Sequence, residues 1–158
     1  MIIEDRKKLA EEIDKLRAKG KRIVFTNGCF DILHKGHVVY LNKAKNFGDV
    51  LVVGINNDDS VREFKGSQRP VMPLESRICI LDALKPVDIV VPFGERLPNE
   101  LIKIIRPHIH VKGGDYRPED LPEYELVTSL GGEVKIVPFV KGFSVTSIVE
   151  RIRRNTEY

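Results

Sequence analysis

The feature that most constrains the fold is the segment DVLVVGIN at residues 49–56, whose six inner residues include no polar side chain. A strand with one face in water alternates apolar and polar residues, whereas a strand covered on both faces is apolar throughout. Strands of the second kind occupy the centre of parallel sheets, which carry helices on both faces. The segment therefore predicts an α/β protein.

The rest of the chain alternates strand-like and helix-like segments at spacings of about 20 to 30 residues. Further strands are predicted at residues 21–28, 87–92, 108–112 and 133–137. Helices are predicted at residues 4–19, 36–47, 58–64, 74–84, 98–105, 122–130 and 144–154. This order favours a Rossmann-like, doubly wound five-stranded parallel sheet in three α/β/α layers. An eight-stranded barrel is excluded because it needs about 250 residues.

Two of the predicted helices carry more detailed expectations. In the helix at residues 36–47, the spacing of Val38, Leu41 and Ala44 predicts that all three side chains face the core. At the other end of the chain, Ser144 is expected to cap the last helix, because a serine hydroxyl can accept a hydrogen bond from a free backbone N–H there.

Length and composition favour one domain over residues 1–158, with an N-terminal helix at residues 1–20 before an α/β core at residues 21–154. The 26 Lys and Arg against 23 Asp and Glu give a net charge of +3. So weak a basic character argues against a nucleic-acid partner but permits small anionic ligands such as phosphates.

The same features indicate a cytoplasmic protein. No apolar stretch approaches the roughly 20 residues of a membrane span, and the N-terminus lacks the apolar segment of a signal peptide, so no membrane partner is expected. The two cysteines, Cys29 and Cys79, have neither metal-site nor disulfide-framework spacing, which indicates reduced thiols.

The first predicted strand runs directly into residues 27–37, NGCFDILHKGH, and then into a helix. In doubly wound sheets, ligands bind beyond the carboxyl ends of the strands. Here His34 and His37 place two imidazoles beside a helix N-terminus, whose free N–H groups and partial positive charge favour phosphate. Gly28 and Gly36 permit a close approach of the backbone to a ligand.

Other interpretations of the two histidines exist. They would suit zinc, but no third ligand has supporting spacing, and they would also suit an exposed surface without function. Neither the P-loop nor the dinucleotide fingerprint is present in the chain. Phosphate binding at this place would therefore depend on the histidines and the helix end.

Residues 28–37, GCFDILHKGH, closely resemble the G-x-F-D-x-x-H-x-G-H signature of the nucleotidylyltransferase superfamily. That superfamily includes glycerol-3-phosphate cytidylyltransferase and pantetheine-phosphate adenylyltransferase. Its second signature, G-I-S-T-T-x-I, is similar to residues 142–148, GFSVTSI. Val145 stands where a hydroxyl is common and Phe143 replaces a small residue, whereas Ser144 and Thr146 keep their hydroxyl groups.

Between these signatures, the chain is similar to the adenylyltransferase domain of bacterial ADP-heptose synthases. The similarity spans about residues 20–152 and is carried by residues 64–70, FKGSQRP, 111–116, VKGGDY, and 131–134, GGEV. It implies transfer of AMP from ATP to heptose 1-phosphate, giving ADP-heptose and pyrophosphate by in-line attack. Mg²⁺ would be bound mainly through the phosphates, without protein ligands, and the family suggests a homodimer or higher assembly.

The resemblance also implies roles for individual residues. His34 and His37 would be catalytic and would stabilise charge on the α-phosphate. The residues expected to bind nucleotide are Asn27, Gly28, Phe30, His34, His37, Lys112, Gly113, Asp115, Ser144 and Thr146. The residues expected to bind phosphate or substrate are Lys65, Arg69 and Arg77.

Each role has an alternative in the sequence. Arg77 suits a salt bridge equally well, Lys65 and Arg69 suit a solvated loop, and the Gly-Gly-Asp at 113–115 suits a plain turn. Asp31 is expected to orient its loop or a histidine rather than to touch substrate.

Two competing functions also stay open. One is a cytidylyltransferase acting on glycerol 3-phosphate or a similar alcohol phosphate, and the other is a non-catalytic nucleotide-binding module.

Overall fold

The computed structural model describes residues 1–156 and contains a five-stranded sheet in which every pair of neighbouring strands is parallel. Its strands are β1 (Ile23–Gly28), β2 (Val50–Asn56), β3 (Ile89–Phe93), β4 (Ile109–Gly113) and β5 (Glu133–Val137). They lie in the order β3-β2-β1-β4-β5, so the direction of winding reverses between β1 and β4. The predicted doubly wound fold is confirmed.

The helices fall where the sequence pattern predicted them. They are α1 (Arg6–Ala18), α2 (Lys35–Lys45), α3 (Asp58–Lys65), α4 (Leu74–Asp82), α5 (Asn99–Ile105), α6 (Tyr124–Ser129) and α7 (Val145–Thr156). The helix predicted at residues 122–130 is shorter at both ends, and a 3-10 turn at Pro118–Asp120 precedes it. None of the described helices is long and apolar enough to cross a membrane.

The sheet lies between two layers of helices, and an apolar core fills the space on each of its faces. On one face, Leu9 of α1 and Ile102 of α5 pack against Phe25 and Val52. On the other face, side chains from α2 and α4 pack against the alternate residues of the same strands. All of β2 is buried, as expected for a strand covered on both sides.

The prediction that Val38 faces the core is wrong. Leu41 and Ala44 are fully buried, but Val38 is 38% exposed. At 3.6 residues per turn, Val38 lies about 120° around α2 from Ala44, which places it at the edge of the buried stripe. Apolar spacing located the buried face of α2 but overestimated its width.

Candidate active site

A cavity of about 530 Å³ opens at the carboxyl ends of β1 and β4, where the winding of the sheet reverses. Residues 27–37, here called the first wall, line one side, and residues 138–146, called the second wall, line the other. Lys112 and Gly113 at the end of β4 lie between them, and Lys65 reaches the cavity from the end of α3. A cleft of this size and position suits a small ligand.

The carboxylate of Asp31 anchors the first wall. This side chain is buried, and its two oxygens accept hydrogen bonds from the backbone N–H groups of Val71, at 2.9 Å, and Met72, at 2.8 Å. The guanidinium of Arg69 lies 3.5 Å away. Asp31 therefore orients the loop at residues 66–73 against the first wall, which agrees with the structural role that the sequence favoured.

Arg77 is a second anchor, and the expectation that it binds phosphate is wrong. The residue is fully buried. Its guanidinium donates to the backbone carbonyl groups of Cys29, Asn56 and Met72 and forms an ion pair with Asp58 at 2.6 Å. Four donor hydrogens of the guanidinium are already used, and no part of the side chain is accessible. Arg77 therefore stabilises the loop after β1 from the buried side of that loop.

Phe30 adopts a left-handed backbone conformation in the first wall, with φ of 46°. For a residue other than glycine this conformation costs about 1–2 kcal/mol. The ring is buried and packs 5.6 Å from the ring of His37, measured between centroids. The neighbouring Asp31 is held by two backbone N–H groups, which supports the strained conformation and keeps Phe30 beside the histidine.

The two histidines cap the N-terminus of α2 reciprocally. Nδ1 of His34 accepts a hydrogen bond from the backbone N–H of Gly36 at 3.1 Å, and Nδ1 of His37 accepts one from the backbone N–H of His34 at 3.3 Å. A neutral imidazole that accepts at Nδ1 carries its proton at Nε2. Each ring therefore keeps one N–H donor that the cap does not use, in a residue that lines the cavity.

Both histidines are neutral near pH 7. Burial, the adjacent His34 ring and the Lys65 ammonium lower the pKa of His37 to about 4. Burial also lowers the pKa of His34 from its usual value. The ring centroids are only 4.0 Å apart, so two charged rings would repel each other. The pair is an uncharged set of hydrogen-bond donors at a helix N-terminus.

Gly36 is required by close packing rather than by an unusual backbone angle. A Cβ atom at this position would lie 2.9 Å from the His34 ring and 3.1 Å from Cβ of Phe143. Any larger residue would therefore displace His34 or the second wall.

A network of buried polar groups lies beneath Lys112, and sequence reasoning missed its central member, Glu123. The Glu123 carboxylate accepts from Nε2 of His110 at 3.1 Å and lies 3.8 Å from Nζ of Lys112. The same Nζ donates to Oδ1 of Asn27 at 3.3 Å. His108 lies apart from this network, and its Nδ1 accepts a hydrogen bond from the backbone N–H of Ile23 at 2.9 Å.

The second wall has a different construction. The hydroxyl of Ser144 accepts from the backbone N–H of Ser147 at 3.0 Å, which confirms the predicted cap of α7. Among its described residues, however, α7 has no buried side chain. Phe139 is 70% exposed and Phe143 is 41% exposed. The ring of Phe143 lies 6.2 Å from the ring of His34 and so connects the two walls.

The structure brings most of the predicted site residues to this cavity. Its lining includes Asn27, Gly28, Phe30, His34, His37, Lys65, Lys112, Gly113, Ser144 and Thr146. Arg69 and Asp115 do not line it, because Arg69 pairs with Asp31 and the exposed Asp115 lies beyond the end of β4. Sequence reasoning also missed the aromatic lining residues Tyr40, Tyr116 and Phe139. Only Tyr40 had a signal, its position one helical turn after His37.

A second cavity of about 320 Å³ meets the first at the end of β1. Asn27, Gly28, Cys29 and Lys112 line both cavities, so the Lys112 side chain stands between them. The second cavity is otherwise lined by residues that include Asn56, Arg96 and Glu123. A cation shared by two adjoining cavities can contact an anionic group in either of them.

Comparison with known proteins adds independent information. The family model described as cytidylyltransferase-like matches residues 25–152. The bifunctional protein HldE of Pelobacter propionicus is 54% identical over 150 residues, which cover 95% of this chain and 31% of that protein. HldE of Vibrio cholerae is 49% identical over 145 residues, which cover 92% of this chain and 30% of that protein. The chain thus spans about a third of the length of these curated relatives.

Two solved structures are similar to this one. The lipopolysaccharide core biosynthesis protein of Thermoplasma volcanium is 34% identical, with a TM-score of 0.62 over 78% of this chain and all of that chain. The pantoate-beta-alanine ligase of Francisella tularensis has a TM-score of 0.66 over 97% of this chain and 77% of that chain, at 18% identity. The second similarity concerns the fold alone.

Proposed function

Because the chain belongs to the cytidylyltransferase-like family, we propose that it transfers AMP from ATP to a sugar 1-phosphate and releases pyrophosphate. The observation that carries the proposal is the histidine pair at the N-terminus of α2. Both Nδ1 atoms accept backbone N–H groups, which leaves two Nε2–H donors for the oxygens of a reacting phosphate.

We propose heptose 1-phosphate as the acceptor, with ADP-heptose as the product. Three observations support this choice. The segments at residues 64–70 and 111–116 resemble ADP-heptose synthases, the chain is 54% identical to a bifunctional HldE, and a similar solved structure is a lipopolysaccharide core biosynthesis protein. The sugar is part of the proposal because the chain covers only a third of its curated relatives.

In the proposed reaction, a phosphate oxygen of the sugar 1-phosphate attacks the α-phosphorus of ATP. The new P–O bond forms in line with the bond to the β-phosphate, which breaks and releases pyrophosphate. Such a transfer depends on alignment and on stabilising charge at the equatorial oxygens, because no protein group needs to form a covalent bond. His34 and His37 would donate to those oxygens, and the N-terminus of α2 would add its positive field.

The remaining lining residues would divide the substrates between the two cavities. Ser144 and Thr146 at the start of α7 would contact the β- and γ-phosphates, with Lys65 opposite them. The sugar 1-phosphate would occupy the second cavity. Lys112 would then meet both reacting phosphates, because it stands between the cavities.

We further propose that Mg²⁺ binds together with ATP, coordinated by the triphosphate and by water, and that it neutralises phosphate charge. The donor set fits this arrangement. Asp31 is the acidic residue in the lining of the first cavity, and its two oxygens already accept backbone N–H groups. Among the described residues, no group of three His, Cys, Asp or Glu side chains is placed to hold a metal.

The test is pyrophosphate release with ATP or CTP, each paired with heptose 1-phosphate or glycerol 3-phosphate, in the presence of Mg²⁺. Release with ATP and heptose 1-phosphate alone is the expected result. Release with CTP and glycerol 3-phosphate would keep the mechanism but replace the substrates with those of the competing cytidylyltransferase.

A double variant, His34→Ala with His37→Ala, distinguishes the enzyme from a nucleotide-binding module. We expect turnover to be lost while ATP affinity falls only modestly, because the histidines act mainly on the transition state. No release from any of the four pairs by the unmodified chain, together with measurable ATP binding, would favour the binding module.

The single-domain organisation, the homodimer or higher assembly and the cytoplasmic location expected from the sequence stay predictions.

A further inference from the structure

We propose that Glu123 is a positioning residue which, together with His110, fixes the ammonium group of Lys112 between the two cavities for phosphoryl transfer. The inference rests on the proposed function, in which Lys112 contacts both reacting phosphates. It concerns Glu123, which lines only the second cavity, and His110, which lines neither cavity.

Glu123 is a buried acidic residue. Its side chain is 3% exposed, and a buried carboxylate is costly unless it is paired and hydrogen-bonded. Glu123 precedes the first residue of α6, but its side chain makes no hydrogen bond to that helix. It contacts His110 and Lys112 instead. The position of the carboxylate is thus explained by these two partners and not by capping.

His110 fixes the carboxylate from below. The ring is fully buried in β4 and stacks on Phe25, with 5.3 Å between centroids. An ionised carboxylate only accepts hydrogen bonds, so Nε2 of His110 carries the proton that is donated to Glu123. Nδ1 of the same ring has no hydrogen-bond partner among the described residues. The hydrogen bond from Nε2 is therefore the contact by which this buried ring holds Glu123.

Lys112 is the group that needs to be held. A lysine has a flexible four-carbon stem, so one contact does not define where its ammonium lies. Here Nζ lies between Oδ1 of Asn27 at 3.3 Å and Oε1 of Glu123 at 3.8 Å, and 23% of the side chain remains exposed. An ammonium has three donor hydrogens, and the hydrogen bond to Asn27 uses one. Donors therefore remain for phosphate oxygens in either cavity.

Glu123 also maintains the charge of Lys112. Burial lowers the pKa of Lys112, and the negative charge of the Glu123 carboxylate opposes that change. The other titratable group of the network, His110, is held neutral by its own burial, which lowers its pKa more than Glu123 raises it. Without the Glu123 charge, the pKa of Lys112 falls further and the ammonium loses one of its two contacts.

The experiment compares Glu123→Gln with the matched control Glu125→Gln, an exposed glutamate two residues later in α6. Steady-state rates are measured with ATP and heptose 1-phosphate. We expect kcat of E123Q to fall about 10- to 100-fold, since a small misplacement of a reacting contact has effects of this size. KM for both substrates should stay within about 2-fold, and the alkaline limb of the kcat profile should move to lower pH.

Coupling between the two residues is the second readout. Lys112→Met should lower kcat at least as far as E123Q, and the double variant should be no slower than K112M alone, because Glu123 acts through Lys112. Additive losses would overturn the inference. So would unchanged kcat in E123Q, or a change confined to KM for the sugar phosphate, which would make Glu123 a substrate contact.

Two further measurements keep the inference testable if a variant misfolds or if the substrates are wrong. His110→Gln keeps an N–H donor near the Nε2 position and should retain more of kcat than His110→Leu; equal losses would contradict the role of His110. NMR titration of the Lys112 ε-methylene needs no substrate. It should show a lower Lys112 pKa in E123Q than in E125Q, and equal values would overturn the inference even if the proposed function were replaced.

Discussion

The two walls of the first cavity are built in opposite ways. The first wall is fixed by two buried charged residues, Asp31 and Arg77, and by the histidine cap of α2. The second wall continues into α7, which buries none of its described side chains, and presents Phe139 and Phe143 to solvent. Buried, fully hydrogen-bonded groups define a unique position, whereas exposed contacts contribute little to stability.

This difference in construction matches the different roles proposed for the two walls. Groups that stabilise a transition state need to be in place before the reaction, because reorganisation during the reaction would reduce their effect. His34 and His37 lie on the fixed wall. In the proposed function, the second wall would contribute contacts to the ends of the substrate through Ser144 and Thr146, which line the cavity at the start of α7. Substitutions in either wall therefore test whether this difference in construction is also a difference in function.

Removing either histidine of the first wall should have the largest effect. For His34→Ala and His37→Ala separately, we expect kcat/KM for ATP to fall about 10²- to 10⁴-fold, because each loses a donor to the charged transition state. His108→Ala, a histidine outside both cavities, serves as the control and should stay within about 2-fold. Steady-state pyrophosphate release measures all three, and near-normal turnover of H34A and H37A would refute the mechanism.

Removing the buried guanidinium should destabilise the whole protein. For Arg77→Met, we expect the free energy of unfolding to fall by about 3–5 kcal/mol, since three backbone carbonyl groups and the Asp58 carboxylate lose their partner. Arg151→Met, an exposed arginine of α7, should change it by less than about 0.5 kcal/mol. Urea unfolding measures both free energies. Similar losses of stability in the two variants would show that the first wall is no more firmly fixed than the second.

The neutral state of His37 predicts a pH dependence of stability. Its pKa is about 4 in the folded chain and near its usual 6.5 in the unfolded chain. The unfolded chain therefore binds more protons between these values, and the contribution of His37 to stability is lost as pH falls from about 6.5 to 4. We expect the unfolding free energy of the unmodified chain, relative to His37→Asn, to fall by about 1–3 kcal/mol over this range. A difference independent of pH would contradict the assigned pKa.

A methyl group at Gly36 should disturb chemistry more than stability. In Gly36→Ala, the new Cβ would meet the His34 ring at 2.9 Å, so the ring must move. We expect kcat to fall about 10-fold, because a displaced donor no longer meets the phosphate oxygen. The unfolding free energy should change by less than about 1 kcal/mol, since alanine is also the better helix former. Unchanged kcat would show that the first wall tolerates movement of His34.

Truncation in the second wall should have the smallest effect. For Phe143→Ala, we expect KM for ATP to rise about 2- to 5-fold, with kcat and the unfolding free energy nearly unchanged, because the residue is 41% exposed and its ring stacks on His34 with 6.2 Å between the centroids. Ile152→Ala, an exposed position farther along α7, is the control and should leave both constants unchanged. A large loss of kcat in F143A would mean that the second wall also positions reacting groups.

Much of the fold and the site could be predicted from the sequence. The continuous apolar run of β2 and the alternation of helices and strands located all five strands. The spacing of His34 and His37 behind a strand located the cavity, and most of the residues expected there line it. The aromatic lining residues Tyr40, Tyr116 and Phe139 and the buried Glu123 were missed, because single aromatic or acidic residues have no periodic signal.

The features of this protein that can be read from its residues alone are therefore local ones. Apolar periodicity and motif spacing define which segments are helices and strands and which turn carries the histidines, because these depend on neighbours along the chain. The tertiary structure alone decided the fate of the charged residues. Arg77 was expected to bind a phosphate, but it is fully buried and donates a hydrogen bond to the carbonyl group of Cys29, 48 residues earlier in the chain. Asp115 was expected to bind the nucleotide, but it does not line the cavity. The pairing of Glu123 with Lys112 was likewise decided by the tertiary structure. The contacts between secondary-structure elements determine which charged side chains are buried and which are paired, and the residue type alone does not.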